Sequence, residues 1–175
     1  YGESQESIVK AVNDWFRPKL LNVNVFKVEN IRKKIDFVAN NNTAKAAIDI
    51  AVHDIIGKYL NMPCYKLLGY AREEVEVSWM LGFGDLKEME KEAFSMIDNY
   101  GITCLKLKGG VDPDKDIEMV KSIRNIVGEN IKLYIDANQG YDVATAIRVL
   151  KELEKYNVAW VEEPCPVEDR LGRRD

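Results

Sequence analysis

Two hydrophobic rhythms divide this chain. Over residues 1–70 the apolar positions recur at spacings of three and four, which predicts helices. Ser4 is placed to cap a helix through about Phe16, with Pro18 expected to stop it. A second helix is predicted over roughly Val28–Ala39 through Ile31, Ile35 and Val38. Thr43 is the expected cap of a third, Ala44–Leu60, with Ala47, Ile48, Ala51, Ile55 and Tyr59 on its buried face and Asn61 and Pro63 ending it. Gly69 and the polar stretch Ala71–Glu74 mark a boundary between a helical domain, 1–70, and a second domain, 71–175. From Val75 the rhythm changes to strand, helix, strand.

The predicted strands are Val75–Leu81, Thr103–Lys108, Ile131–Asp136 and Val158–Glu162. Between them lie three helical patterns: Leu86, Met89, Ala93 and Ile97 behind Asp85; Ile117, Val120, Ile123 and Val127 behind Asp112 and Pro113; Val143, Ile147, Leu150 and Leu153 behind Asp142. Such alternation implies a parallel α/β sheet. Strands two, three and four end in Lys108, Asp136 and Glu162, 28 and 26 residues apart. Polar residues at successive strand ends favour a (β/α)₈ TIM-type barrel, where chemistry sits at the C-terminal mouth, over a doubly wound sheet. Side chains two apart share a strand face. Cys104, Lys106 and Lys108 therefore point one way and Leu105 and Leu107 the other. Tyr134 joins Asp136, and Val158 and Trp160 join Glu162, leaving Leu133, Ile135, Ala159 and Val161 to pack beneath helices.

Composition narrows the class without changing this picture. With 46% hydrophobic and 31% charged residues among 175, the chain has the makings of a real core. A net charge of −4 argues against nucleic acid and anionic membranes as partners, and no apolar run approaches the roughly 20 residues of a membrane span. Cys64, Cys104 and Cys165 are odd in number and form no CxxC pair, which suits free thiols in a cytoplasmic protein. The chain opens at Tyr1 with neither an initiator methionine nor a signal peptide, and it stops thirteen residues after Glu162 with the βα series in progress. A complete barrel needs about 250 residues. The expectation is therefore a piece of a longer enzyme holding about four βα units. Half a barrel exposes strand edges, so a homo-oligomer or a partner-completed module is expected.

Two lysines on one inner strand face are costly unless they have a task. Adjacent ammonium groups, with a nearby cation, should lower a lysine pKa into the range of a general base. Lys108, nearest the mouth, is the candidate base; Lys106 would tune it and hold a substrate carboxylate. Asp136 and Glu162 are hard oxygen donors suited to Mg²⁺, with Mn²⁺ as the alternative. Asn138 shares parity with Asp136 and is a candidate substrate contact or a turn former.

The strings KLK (Lys106–Lys108), DANQGY (Asp136–Tyr141) and WVEEP (Trp160–Pro164), with AAIDIAVHDIIGKYLNMPCYKLLG (Ala46–Gly69) upstream, resemble the mandelate racemase and muconate lactonizing branch of the enolase superfamily. That superfamily's lysine or histidine base with Mg²⁺ is a known pairing. The resemblance implies an α+β capping domain whose helical part is 1–70, followed by the first half of the barrel. It implies Mg²⁺-dependent abstraction of the proton α to a carboxylate through an enolate, by a racemase, epimerase or cycloisomerase acting on a small carboxylate substrate. By resemblance Lys108 is the base with Lys106 its partner, and Asp136 and Glu162 are metal ligands. Strand parity favours Glu162 over Glu163. An acid-sugar dehydratase of the same superfamily is the runner-up, because DANQGY and WVEEP occur there too. A third metal ligand on strand five and a second acid/base group would lie beyond Asp175.

Each residue also has a plainer reading. Lys106 and Lys108 could be solvated on an edge strand, Asp136 a turn cap and Glu162 a strand terminus; their joint spacing favours the site. A non-catalytic module and a flavodoxin-like metal-binding domain are rivals from other classes. His53, the sole histidine, is expected to be structural, and Trp79 and Trp160 to be core. Gly109–Gly110 only weakly resembles a phosphate-cradling turn. The tail Glu168–Asp175 is more basic than a fourth barrel helix should be.

Overall fold

Why the chain folds as it does is clearest around its parallel sheet. The computed structural model describes residues 2–174; Tyr1 and Asp175, on which expectations about the two ends partly fall, lie outside the described residues. The described chain divides into two compact units, the boundary falling between Glu73 and Glu74 in the sequence.

The first unit is helical. Helix α1 (Gln5–Lys10) is capped by Ser4 and Ser7, each hydroxyl accepting the other's backbone N–H. It continues through a π-helical stretch, Ala11–Phe16, directly into α2 (Arg17–Leu20). Pro18 does not stop it, contrary to expectation. The wider turn, with the Arg17 N–H donating to the Val12 carbonyl, makes room for a residue with no N–H to give. Helix α3 (Val28–Ile35) buries Ile31 and Ile35 and ends earlier than its pattern suggested. Helix α4 (Asn42–Tyr59) corrects two further expectations. Thr43 lies inside it rather than capping it, and the Thr43 N–H is satisfied by the Glu3 carboxylate at 3.1 Å. Its buried face is Ala44, Val52 and Ile56, while Ile55 and Tyr59 are exposed. Apolar residues occur all round this helix, so periodicity alone could not choose the face. A short α5 (Cys64–Leu67) follows, and Gly57 lets it approach: a Cβ there would meet the Met62 carbonyl oxygen at 2.8 Å.

The second unit carries four strands, all parallel and in the order β1–β2–β3–β4: Trp79–Leu81, Cys104–Lys108, Lys132–Asp136 and Val158–Glu162. Helices α6 (Leu86–Tyr100), α7 (Pro113–Val127) and α8 (Val143–Leu153) link them. Side-chain oxygens of Asp85, Asp112 and Asp142 accept the first-turn N–H groups of these helices, as their positions foretold. Leu81, Leu105, Leu107, Leu133 and Ile135 are fully buried against Met89, Ala93, Val120, Ile123, Ala146 and Val149. Burial of each large aliphatic side chain is worth roughly 1.5–3 kcal/mol. Strand order never reverses and the helices share one face, which removes the flavodoxin-like rival, whose order has a switch point.

Several details depart from the simple alternation. The first strand is only three residues long, and Val75 and Val77 are exposed. In α8 the buried residues are Ala146, Val149 and Leu153, with Ile147 and Leu150 turned partly outward. The register slips between β3 and β4: Leu133 pairs with Val158, yet Tyr134 pairs with Trp160. Ala159 is the extra residue of this bulge and is exposed. Val158 consequently packs with the helix-side core, not with Trp160 and Glu162 as strict parity predicted. Neither Trp79 nor Trp160 is core. Trp79, on the edge strand, donates to Glu92 at 2.9 Å, and Trp160 is half exposed and stacks on Tyr134 with ring centroids 4.5 Å apart. No helix among the described residues is long and apolar enough to cross a membrane.

Candidate active site

The three strand ends come into line because the sheet is parallel and in register at its C-terminal edge. Lys108 pairs with Asp136 across β2–β3, and Asp136 pairs with Glu162 across β3–β4. One layer below, Met80, Lys106, Tyr134 and Trp160 form a second row on the same face. The bulge at Ala159 restores the parity that turns Glu162 toward this face.

All five residues singled out from the sequence meet there. Lys108 Nζ donates to Asp136 Oδ2 at 2.7 Å and to Asn138 Oδ1 at 3.0 Å. Lys106 Nζ lies 2.9 Å from Asp136 Oδ2 and 2.6 Å from Glu162 Oε2, bridging the two carboxylates. Asp136 Oδ1 accepts the Asn138 N–H at 3.0 Å. Asn138 and Gln139 both have positive φ, and this tight turn returns the Asn138 side chain to the lysine. Asn138 is thus a turn former that also grips Lys108. Glu163, the other acid of the pair, also has positive φ and is bound by Arg173, whose guanidinium donates to the Cys165 and Pro166 carbonyls as well. One residue of the unexpectedly basic tail is thereby accounted for.

Electrostatics follow from burial and pairing. The Asp136 side chain is only 4% exposed, and this burial disfavours its charged form. Hydrogen bonds from Lys108, Lys106 and the Asn138 N–H outweigh that penalty and hold its carboxyl at about 2. Lys106 is held above the ordinary lysine range, chiefly by its bond to Glu162, against the opposing effect of its own burial and with help from Asp136.

Asp136 and Glu162 fit a divalent cation as two of its ligands. Both are hard oxygen donors, and a cationic group already spans them in the form of the Lys106 ammonium. Among the described residues there is no cluster of three or more His, Cys, Asp or Glu side chains that could hold a metal. His53 belongs to the first unit, where its Nδ1 lies 2.9 Å from the Asp49 carbonyl within α4.

Close packing of loops holds the arrangement. Gly109 N–H donates to the Asp136 carbonyl, Ala137 N–H to the Glu162 carbonyl and Tyr141 N–H to the Pro164 carbonyl. A Cβ on Gly110 would lie 1.8 Å from the Ala137 oxygen, and one on Gly140 would lie 1.8 Å from the Gly110 oxygen. The glycine pair after Lys108 therefore serves loop contact rather than a phosphate cradle. Asp116 and Tyr141 belong to this packing and were missed from sequence. Asp116 lies four and seven residues before Val120 and Ile123, on the buried stripe of α7, and a carboxylate there was a legible signal.

Comparison with known proteins agrees with this geometry. Residues 1–69 match the family described as mandelate racemase / muconate lactonizing enzyme, N-terminal domain, and residues 88–175 match the family described as enolase C-terminal domain-like. The chain is 36% identical over 171 residues to N-succinyl-L-Arg/Lys racemase of Bacillus cereus, covering 96% of this chain and 46% of the relative. It is 34% identical over 167 residues to chloromuconate cycloisomerase of Cupriavidus necator, covering 94% and 45%. The solved dipeptide epimerase of Enterococcus faecalis V583, complexed with Mg and the dipeptide L-Leu-L-Tyr, superposes with a TM-score of 0.90 at 33% identity over 98% of this chain and 48% of that one. The chain spans about half the length of the curated relatives it matches. Strand-end chemistry and matches over both units lead to one assignment: the chain belongs to the mandelate racemase and muconate lactonizing enzyme branch of the enolase superfamily.

Proposed function

We propose that this chain carries the base and two metal ligands of an enzyme that removes the proton α to a carboxylate, as a racemase, epimerase or cycloisomerase. The observation that carries the proposal is the row Lys108–Asp136–Glu162, successive register partners at the C-terminal ends of three parallel strands. The wider architecture we propose is the first half of a (β/α)₈ barrel preceded by the helical part of a capping domain.

Lys108 is the proposed base. Its Nζ would take the α-proton of a carboxylate substrate, and Asn138 and Asp136 fix its direction through bonds of 3.0 and 2.7 Å. Asp136 and Glu162 would hold Mg²⁺, or Mn²⁺ in its place. When bound, the cation would supply positive charge against the electron density that builds on the substrate carboxylate as the proton leaves. Lys106, bridged to both acids, would keep their charges oriented and offer an ammonium to the substrate carboxylate. Tyr134 lies beneath it, with the ammonium 5.6 Å from the ring centroid and the Tyr134 hydroxyl 2.9 Å from that of Ser78. The floor of the site is therefore anchored to the residue just before the first strand.

Small carboxylates such as dipeptides and N-acylated amino acids are the proposed substrates, by analogy with the named relatives. The unpaired cysteines suit a cytoplasmic enzyme. Incubating the active protein with Mg²⁺ and N-succinyl amino acids or dipeptides in deuterated water tests the proposal. Deuterium should enter the α-position, and a panel with no incorporation would overturn it.

A further inference from the structure

The buried carboxylate of Asp116 has no part in the chemistry proposed above, yet it touches the loops that follow two of the strands bearing it. Asp116 is 6% exposed and projects from the first turn of α7. One oxygen, Oδ2, accepts both the Gly110 N–H at 2.8 Å and the Tyr141 hydroxyl at 2.5 Å. Gly110 lies two residues beyond Lys108, and Tyr141 three beyond Asn138. The Tyr141 N–H in turn donates to the carbonyl of Pro164, two residues beyond Glu162, at 3.1 Å. A single buried oxygen, with the tyrosine it holds, thus links the loops that follow β2, β3 and β4.

That linkage matters because the two loops meet without slack. The Gly110 and Gly140 backbones approach so closely that neither tolerates a Cβ. Lys108 and Asn138 stand on opposite sides of this contact and share the bond that directs the amine. Desolvating a carboxylate is costly, so an apolar side chain would be the simpler filler for stability alone. Charge-assisted bonds from Gly110 and Tyr141 offset the cost and fix where the loops lie.

We propose that Asp116 and Tyr141 are positioning residues, forming a clasp that sets Lys108 against Asn138 and Asp136; the catalytic part of this inference rests on the proposed function of Lys108. Because both donors converge on one oxygen, an amide oxygen can replace it. Asp116→Asn should therefore keep most of the turnover, whereas Asp116→Ala should lose it.

The test compares kcat, KM and Gly110 amide exchange in wild type, Asp116→Asn, Asp116→Ala and Tyr141→Phe of the active protein, at a temperature where each is fully folded. Asp116→Ala is expected to lose about tenfold or more in kcat with KM within about twofold, and Tyr141→Phe to lose several-fold. Gly110 exchange should speed up in Asp116→Ala and stay near wild type in Asp116→Asn. If Asp116→Ala does not fold, Tyr141→Phe carries the comparison, since it removes one hydroxyl only. Wild-type kcat in a folded Asp116→Ala or in Tyr141→Phe, whatever the loss in Tm, would overturn the positioning role. Should no α-proton substrate be found, the amide exchange decides the clasp alone. Unchanged Gly110 protection in folded Asp116→Ala would overturn it, and increased exchange would support it while the base assignment fails separately.

Discussion

Replacing Gly110 with alanine should separate the contribution of loop packing from that of local backbone strain. The new Cβ would sit 1.8 Å from the Ala137 carbonyl oxygen and 2.6 Å from its carbonyl carbon, at a φ of +93°. Ordinary van der Waals contact begins near 3.4 Å, so the loops after β2 and β3 must part by about 1.5 Å. Overpacking typically costs about 1–3 kcal/mol and a non-glycine residue in this backbone region about 1–3 more, for a stability loss of about 2–6 kcal/mol. Ala137 follows Asp136 directly and Gly110 lies two residues after Lys108, so the separation falls on the Lys108–Asp136 pair. A displacement of about 1 Å at a reacting group can cost about 100-fold in rate. Gly101→Ala is the control: its φ is also positive, at +65°, but nothing lies within 4 Å. The control should lose about 1 kcal/mol and no activity. Calorimetry and α-proton exchange on both variants would check this. Gly110→Ala with wild-type exchange, or with no greater loss of stability than Gly101→Ala, would refute the reasoning.

Three further outcomes are expected. Arg124→Met should destabilise by about 3–5 kcal/mol in urea titrations, because the buried guanidinium satisfies the carbonyls of Gly128, Ile131, Tyr156 and Asn157 at 2.6, 2.7, 2.9 and 3.0 Å; a loss under about 1 kcal/mol would contradict it. Without divalent cations, Asp136, held at about 2 in the fold against 3.8 ordinarily, contributes about 2 kcal/mol that is present above pH 4 and lost as pH falls through 2. Asp136→Asn should flatten the stability profile in that window, and a slope parallel to wild type would count against the pairing. Asp136→Asn and Glu162→Gln should each weaken Mg²⁺ binding by tenfold or more in calorimetric titration, on the order seen when metal-site groups are altered, and unchanged affinity would move the metal elsewhere.

Much of the site was legible because period-two alternation sorts β2, β3 and the C-terminal end of β4 correctly. In β2 the leucines and lysines alternate, so one face is oily and the other cationic. Asp136 and Glu162 then fell on the lysine face by parity alone. Alternation failed at Val158 and Ala159, where an inserted residue breaks the register, and nothing local in the sequence announces a bulge. Helix α4 was misread for the opposite reason: too many apolar residues, on every side, left its buried stripe undefined. Pro18 misled because the rule that proline ends helices assumes α-helical bonding, which the π-helical stretch relaxes. The Asp116 clasp went unseen although its spacing to Val120 and Ile123 was available. Its partners, Gly110 and Tyr141, lie in loops whose approach only the folded sheet defines.

Solvent isotope exchange in Lys108→Ala bears most directly on the central claim that this amine removes the α-proton beside a cation held by Asp136 and Glu162. The variant should bind Mg²⁺ with near-wild-type affinity and exchange no α-proton with deuterated water. Exchange at the wild-type rate in a folded, Mg²⁺-binding Lys108→Ala protein would contradict the account.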